Sequence, residues 1–356
     1  MMADLRFHPL PPRRSRARGV TLVELLIAMV LSLVVVIAAS SIYIVSSQSF
    51  NTVDSSSQLQ DSGRFATYIL RRMAEQSGYE DYSEFSVDYG RAKSVNAWSG
   101  QPACVQSDIC GFQNRAVPVA SLISGGTGTT GSLAGPYYTD TLVVQFQGQS
   151  TIDAATGEPS ANADGSIIDC SGTAMPSNTT SPPTRAMSTL YVALNGATGE
   201  PELNCSSRDP VTGAGRPAWP LVKGVEVFKV MYEIGNDTDG APVTNLPDGT
   251  PDRFRWVRAD QVATLPITKP AGSTASDEVN AWQNIVAVRF GLVLRGELGT
   301  AAKPLAATTL YPLGKDLAVV TDPALTYVPP LDTRLRKVVT FTIHLRNRQN
   351  AFYTTS

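Results

Sequence analysis

The sequence predicts an α+β fold, in which one long N-terminal helix packs on an antiparallel, β-rich globular domain with long loops. Three observations carry this reading. Residues 25–45 form a run without a single charge. In residues 46–77 apolar positions recur at three, four and seven residues, the period of a helix with one buried face. Beyond residue 77 long helical patterns stop, and segments such as 286–294 place apolar residues on alternate positions, as half-buried strands do.

The first nineteen residues hold five arginines (Arg6, Arg13, Arg14, Arg16, Arg18) and one aspartate. A basic segment ahead of an apolar one keeps the N-terminus in the cytoplasm. As a helix, Leu25 to Val45 rises about 31 Å, enough to cross the hydrocarbon core of a bilayer. An ordinary secretory signal has a shorter apolar core, a cleavage site after it and no acid at its start. Here Glu24 opens the apolar run, and the fitting cut lies before it, between Gly19 and Val20. Such a cut removes the leader and keeps the helix. A carboxylate at membrane depth costs roughly 2.5–3.5 kcal/mol, less near the interface, so it usually has a partner and a task. The expected partner of Glu24 is the α-amine that cleavage creates on Val20, in the same chain or a neighbouring one.

The helix is expected to continue through residues 46–77. Leu59, Ala66, Ile69, Leu70 and Met73 share one face, and Asp54, Gln58, Asp61, Arg64, Arg71 and Glu75 occupy the other. Ser77-Gly78 is a normal helix stop. Strands are expected at 141–146, 190–194, 222–234, 254–257, 286–294 and 338–346. The Gly-, Ser-, Pro- and Asp-rich stretches 121–136, 148–188, 235–252, 260–279 and 299–332 read as surface loops. The resulting organisation is a leader (1–19), a membrane and assembly helix (20–45), its amphipathic continuation (46–77) and a periplasmic β-rich domain (78–356).

Without the leader, 24 Lys and Arg face 30 Asp and Glu, so a nucleic-acid partner is disfavoured. The C-terminal basic cluster of Arg334, Arg336, Lys337, Arg346 and Arg348 reads as a solvated strand face, with contact to DNA as the minority reading. The chain has four cysteines, Cys104, Cys110, Cys170 and Cys205, with no Cys-x-x-Cys pair. In an exported domain an even count favours disulfides. Three pairings are open, and Cys104–Cys110 with Cys170–Cys205 is the expected one. No catalytic motif is present, and His8 and His344 stand alone, so an enzyme is not expected. No cofactor is expected, apart from a weak calcium candidate in the Asp237, Asp239, Asp248 and Asp252 loops, whose register departs from the EF-hand pattern.

The segment Gly19-Val20-Thr21-Leu22-Val23-Glu24 resembles the leader of type IV prepilins and type II secretion pseudopilins. It departs from them in Val20, where the first mature residue is usually Phe. The resemblance implies that a prepilin peptidase cuts Gly19–Val20 on the cytoplasmic face and methylates the new amine. Further motifs resemble the PilW-type minor pilins in their order. They are Gly63-Arg64-Phe65-Ala66, Asp140-Thr141-Leu142-Val143-Val144, Leu190-Tyr191-Val192-Ala193, Leu221-Val222-Lys223-Gly224-Val225-Glu226, Asp237-Thr238-Asp239-Gly240, Trp282-Gln283-Asn284-Ile285-Val286 and Leu345-Arg346-Asn347-Arg348.

That family implies a type IV pilin-like fold and a low-abundance subunit. The subunit sits in the inner membrane with its N-terminus cytoplasmic, then joins other minor pilins and the major pilin in a priming complex at the pilus tip. Support of twitching motility and adhesion, and contact with a large tip adhesin, are further implications. Two rival readings are a minor pseudopilin of a type II secretion system and a membrane-anchored periplasmic binding protein or enzyme.

Overall fold

The computed structural model describes residues 19–79, 109–112, 139–157, 159–176, 186–208, 215–234, 255–262, 282, 285–301, 303–304, 308–317 and 325–345. The chain divides into two units, 1–51 and 52–356. One helix, α1 (Leu22–Gln76), runs through both.

In the first unit every residue of α1 is exposed. Ser32 and Ser41 turn their hydroxyls back onto the carbonyls of Met29 and Ala38, each at 2.8 Å. These bonds satisfy the two hydroxyls within the helix itself, an arrangement that suits an apolar surrounding.

In the second unit α1 buries a narrow stripe of Leu59, Gly63, Ala66, Leu70, Met73 and Ala74. The spacing of four, three, four and three residues keeps one face inward. At Gly63 an added Cβ would lie 3.0 Å from Val339 Cγ2 and 3.7 Å from Leu294 Cδ1, so the helix backbone comes close to the sheet at this point. The helix ends at Gly78, whose φ of 69° suits a residue without Cβ.

The described strands are β1 (Ile109–Phe112), β2 (Thr141–Phe146), β3 (Ser150–Ile152), β4 (Pro159–Ala163), β5 (Ala186–Leu194), β6 (Pro201–Arg208), β7 (Trp219–Lys223), β8 (Val225–Ile234), β9 (Arg255–Val257), β10 (Ile285–Arg295) and β11 (Arg336–His344). A short helix, α2 (Ala259–Val262), follows β9. One sheet has the order β1-β2-β5-β6-β7 and the other β11-β10-β8-β9, with β3-β4 as a separate hairpin. Every pairing is antiparallel. A single core draws on the helix stripe and on both larger sheets, with Leu70, Met73, Leu142, Leu190, Phe228, Phe290 and Leu292 inside it.

Three expectations are corrected. The single strand expected over 222–234 is two strands in different sheets, separated by Gly224 with φ 73°. Gly224 N–H donates to Pro201 O at 2.8 Å, and Gly224 O accepts from Arg295 N–H at 2.7 Å. The chain changes sheets at a residue whose Cβ would strike the Arg295 carbonyl.

Second, part of the stretch 299–332 is not a loose surface loop. Residues 308–317 and 325–327 form a strap on the second sheet, where Leu313 and Leu325 pack with Met231, and Tyr327 packs with Val227 and Val293. Alternate residues of β8 and β10 therefore meet different apolar layers, and a central strand buried on both faces loses its polar alternation.

Third, the polar stretch 148–188 contains β3, β4 and a segment held to the body. The Gln76 side chain donates to Ile168 O at 3.1 Å and accepts from Ile168 N–H at 3.2 Å.

Candidate assembly site

Thr21 starts α1. Glu24 N–H donates to Thr21 Oγ1 at 3.2 Å, and Leu25 N–H donates to Thr21 O at 3.0 Å. Thr21-x-x-Glu24 has the spacing of a capping box, in which the Ser or Thr side chain takes up a free N–H of the first turn. Glu24 thus sits in the first helical turn, where the helix dipole favours a negative charge. Among the described residues nothing lies within 4 Å of a Cβ placed on Gly19. Val20 is exposed, so the Gly19–Val20 peptide stands open next to the capped turn. The sequence reading passed over the role of Thr21, although the Thr-x-x-Glu spacing ahead of an apolar run would have disclosed it.

After this turn comes an apolar helical surface, residues 25–45, that the described residues leave exposed. The most apolar eighteen residues of α1 are exposed throughout. Apolar surface of this extent in a monomer marks contact with lipid or with other proteins. Where helices meet in a lipid phase, van der Waals packing and interhelical hydrogen bonds hold them together.

In the second unit α1 is tied to a loop of the body by Thr52 Oγ1, which donates to Thr300 O at 2.9 Å. The loop that receives it is tightly held. Leu335 N–H donates to Thr300 Oγ1 at 2.9 Å, Ala301 N–H to Thr333 O at 2.9 Å, and Arg334 to Gly296 O at 2.9 Å.

Beside this loop runs a chain of alternating charges. Arg334 pairs with Glu200 at 2.8 Å, Glu200 with Arg295 at 2.8 Å, Arg295 with Glu226 at 3.3 Å, Glu226 with Arg336 at 2.7 Å, and Arg336 with Asp332 at 2.7 Å. The Arg336 guanidinium beside Asp332 holds that carboxyl below its ordinary range, against burial. At Glu200 burial pushes the carboxyl up, but the hydrogen bonds from Arg295 and Arg334 bring it down on balance.

This network corrects the reading of the basic cluster. Arg334 and Arg336 are bound to buried or half-buried carboxylates, and neither belongs to a solvated face or is available to DNA. Arg346 and Arg348 lie outside the described residues. Sequence reasoning missed the network because Glu226 stands 110 residues from Arg336 and Glu200 stands 134 residues from Arg334.

A second buried pair joins the sheets. Asp140, just before β2, accepts from Lys229 Nζ at 3.3 Å and from Val230 N–H at 2.9 Å. Burial lowers the Lys229 ammonium, and Asp140 opposes that shift.

Cys170 and Cys205 are joined by a disulfide with Cα atoms 5.8 Å apart, which fastens the 167–175 segment to β6. Asp169 braces the same segment by accepting from Ser171 N–H and Thr173 N–H at 2.9 Å and from Arg216 at 2.9 Å. Cys104 lies outside the described residues, and only the backbone of Cys110 is described, in β1. The calcium candidates Asp237, Asp239, Asp248 and Asp252 also lie outside them. Among the described residues no group of three or more His, Cys, Asp or Glu could hold a metal ion. His344 is exposed at the end of β11.

Comparison with known proteins gives two family matches. Residues 189–347 match the family described as type IV pilus-assembly protein W. Residues 14–40 match the prokaryotic N-terminal methylation motif, which contains Gly19, Val20 and Glu24. No curated protein matches the chain. Among solved structures, a type IV-like pilin from Thermus thermophilus is 15% identical, covering 81% of this chain and 97% of its own, with a TM-score of 0.36. The chain thus carries the prokaryotic N-terminal methylation motif at residues 14–40 and, over much of β5 to β11, is similar to the type IV pilus-assembly protein W family.

Proposed function

We propose that the chain is a priming subunit of the type IV pilus. A prepilin peptidase removes residues 1–19 and methylates Val20. Residues 20–45 then anchor the protein in the inner membrane, with the β-rich domain of residues 78–356 on the periplasmic side. From there it joins other minor pilins, and the major pilin, in a complex at the growing tip. Support of twitching motility and adhesion, with a large adhesin as a further tip partner, follows from that place. The role is structural, and no catalytic step is assigned to the chain.

The observation that carries this reading is the capped, fully exposed apolar half of α1 with Glu24 in its first turn. Once leader removal frees the Val20 amine, a charged partner exists for Glu24. An isolated carboxylate among packed helices is costly, whereas one paired with an amine is tolerable. The PilW-family match over residues 189–347 supports the pilus as the system served.

Mass spectrometry of the mature N-terminus tests the processing. N-methyl-Val at residue 20 is expected. A chain that still begins at Met1, or is cut after the apolar run, would sink the proposal. Affinity isolation of the membrane protein tests the partners: other minor pilins should co-purify, and recovery of secretion pseudopilins alone would move the chain to the rival system.

A further inference from the structure

We infer that the loops around Thr300 form a lipid-contacting rim, which rests the globular unit on the phospholipid surface before the subunit enters a fibre. The inference depends on residues 25–45 spanning the membrane.

Three loops are laced together at one end of the second unit. The turn after β5 is fastened to the others by the Arg334–Glu200 pair. The segments 296–301 and 328–335 are joined by Gly296 N–H to Leu335 O at 2.8 Å and by Gly299 N–H to Thr333 Oγ1 at 3.1 Å. These loops carry large apolar side chains that face outward: Leu298 is 67% exposed, Leu331 68%, Val328 55% and Leu194 49%. Lys223, at the end of β7, and Lys303 are exposed nearby. Apolar side chains standing beside cations suit the boundary between acyl chains and phosphate headgroups.

Chain length says which surface this end can reach. The loop system is tied to α1 through Thr52, only seven residues after Val45, the last residue of the apolar run. Seven residues rise about 10 Å in a helix, which keeps Thr52 at the headgroup layer when the run spans the core. Phe65 and Tyr68 are also exposed apolar residues on α1. Tyr68 lies 23 residues beyond Val45, about 35 Å of helical rise, more than three times as far along the chain as Thr52. Exposure alone therefore does not select the rim; exposure together with this tether does.

The test uses the full-length chain in nanodiscs of phosphatidylethanolamine and phosphatidylglycerol. Photoreactive benzoylphenylalanine replaces Leu298, Leu331 or Tyr68 in turn, and the intact protein is weighed after irradiation. A phospholipid adduct is expected at 298 and 331, at least fivefold above that at 68. Equal yields at the three positions, no lipid adduct at 298 and 331, or adducts to protein alone would overturn the inference. Carbonate extraction separates the two readings. A chain released by carbonate refutes the membrane anchoring, and the rim with it. A chain that stays in the membrane without lipid adducts refutes the rim alone.

Discussion

Arg336 Nε donates to Glu226 Oε2 at 2.7 Å across the end of β10, and the glutamate side chain is fully buried. The two residues belong to β11 and β8, strands that each pair with β10 but not with each other. Arg295, from β10 itself, completes the arrangement by pairing with Glu226 at 3.3 Å. One carboxylate thus ties three strands beside the loop that receives Thr52.

Removing that carboxylate should cost far more than removing an exposed one. Breaking a buried pair typically costs about 3–5 kcal/mol, because the remaining charge stays buried without compensation. Glu226→Gln leaves Arg295 and Arg336 short of their shared partner and should lower the thermal midpoint strongly. Asp316→Asn removes a mostly exposed partner of Arg289, and exposed pairs contribute about 0–1 kcal/mol. Calorimetry of both variants checks the contrast. Equal small losses would show that the Glu226 pairings contribute little to stability.

The same network sets an acid limb. Hydrogen bonds from Arg336 depress the Asp332 carboxyl, so its folded value lies below its unfolded one of about 3.9. The stability it contributes is present above the unfolded value and is lost as pH falls through the folded value. Glu200, depressed on balance by Arg295 and Arg334, acts in the same direction. Denaturant midpoints should therefore be flat between about pH 7 and 5 and fall below about pH 4. Asp332→Asn should lower the plateau and make the acid fall shallower. An unchanged acid limb in that variant would assign the fall to other carboxyls.

The strap over the second sheet rests on Gly291. A Cβ at that position would strike the Pro312 carbonyl, which also accepts from Thr340 Oγ1 at 2.6 Å. Gly291→Ala should then destabilise the domain by about 1–3 kcal/mol, the usual cost of overpacking. Faster amide hydrogen exchange at residues 308–317 should accompany it. Wild-type exchange in the strap would show that the sheet, not the strap, absorbs the extra methyl.

Parts of this fold were legible because their signals are local. The helix stripe from Leu59 to Met73 and the strands β2 and β10 each carry their pattern within fifteen residues. β6 was not legible. Its sequence, Pro-Glu-Leu-Asn-Cys-Ser-Ser-Arg, is mostly polar, with Leu203 and Cys205 its only core residues, yet nearly all of it is buried. The turn before β6 and the strap failed for a related reason. Glu200 and Pro312 matter through Arg334 and Gly291, partners that local periodicity cannot find. At the assembly site the opposite holds, since Gly19, Val20, Thr21 and Glu24 lie within six residues. What the structure adds there is the bond from Glu24 N–H to Thr21 Oγ1.

That bond separates two explanations for Glu24. One is helix capping, in which the acid sits in the first turn because Thr21 and the dipole favour it there. The other is charge pairing with the Val20 amine. Thr21→Ala removes the cap and costs about 1 kcal/mol of helix stability, but leaves the carboxylate. Glu24→Gln keeps the backbone bond and the side-chain length, but removes the charge. If pairing governs assembly, the Glu24→Gln chain should be cut and methylated normally at Val20 yet be missing from sheared fibres. The Thr21→Ala chain should still enter them, at reduced yield. Immunoblots of sheared fibres and membranes, together with N-terminal mass spectra, read both variants. If Glu24→Gln enters fibres normally and Thr21→Ala does not, the acid serves the helix turn and the amine has some other partner.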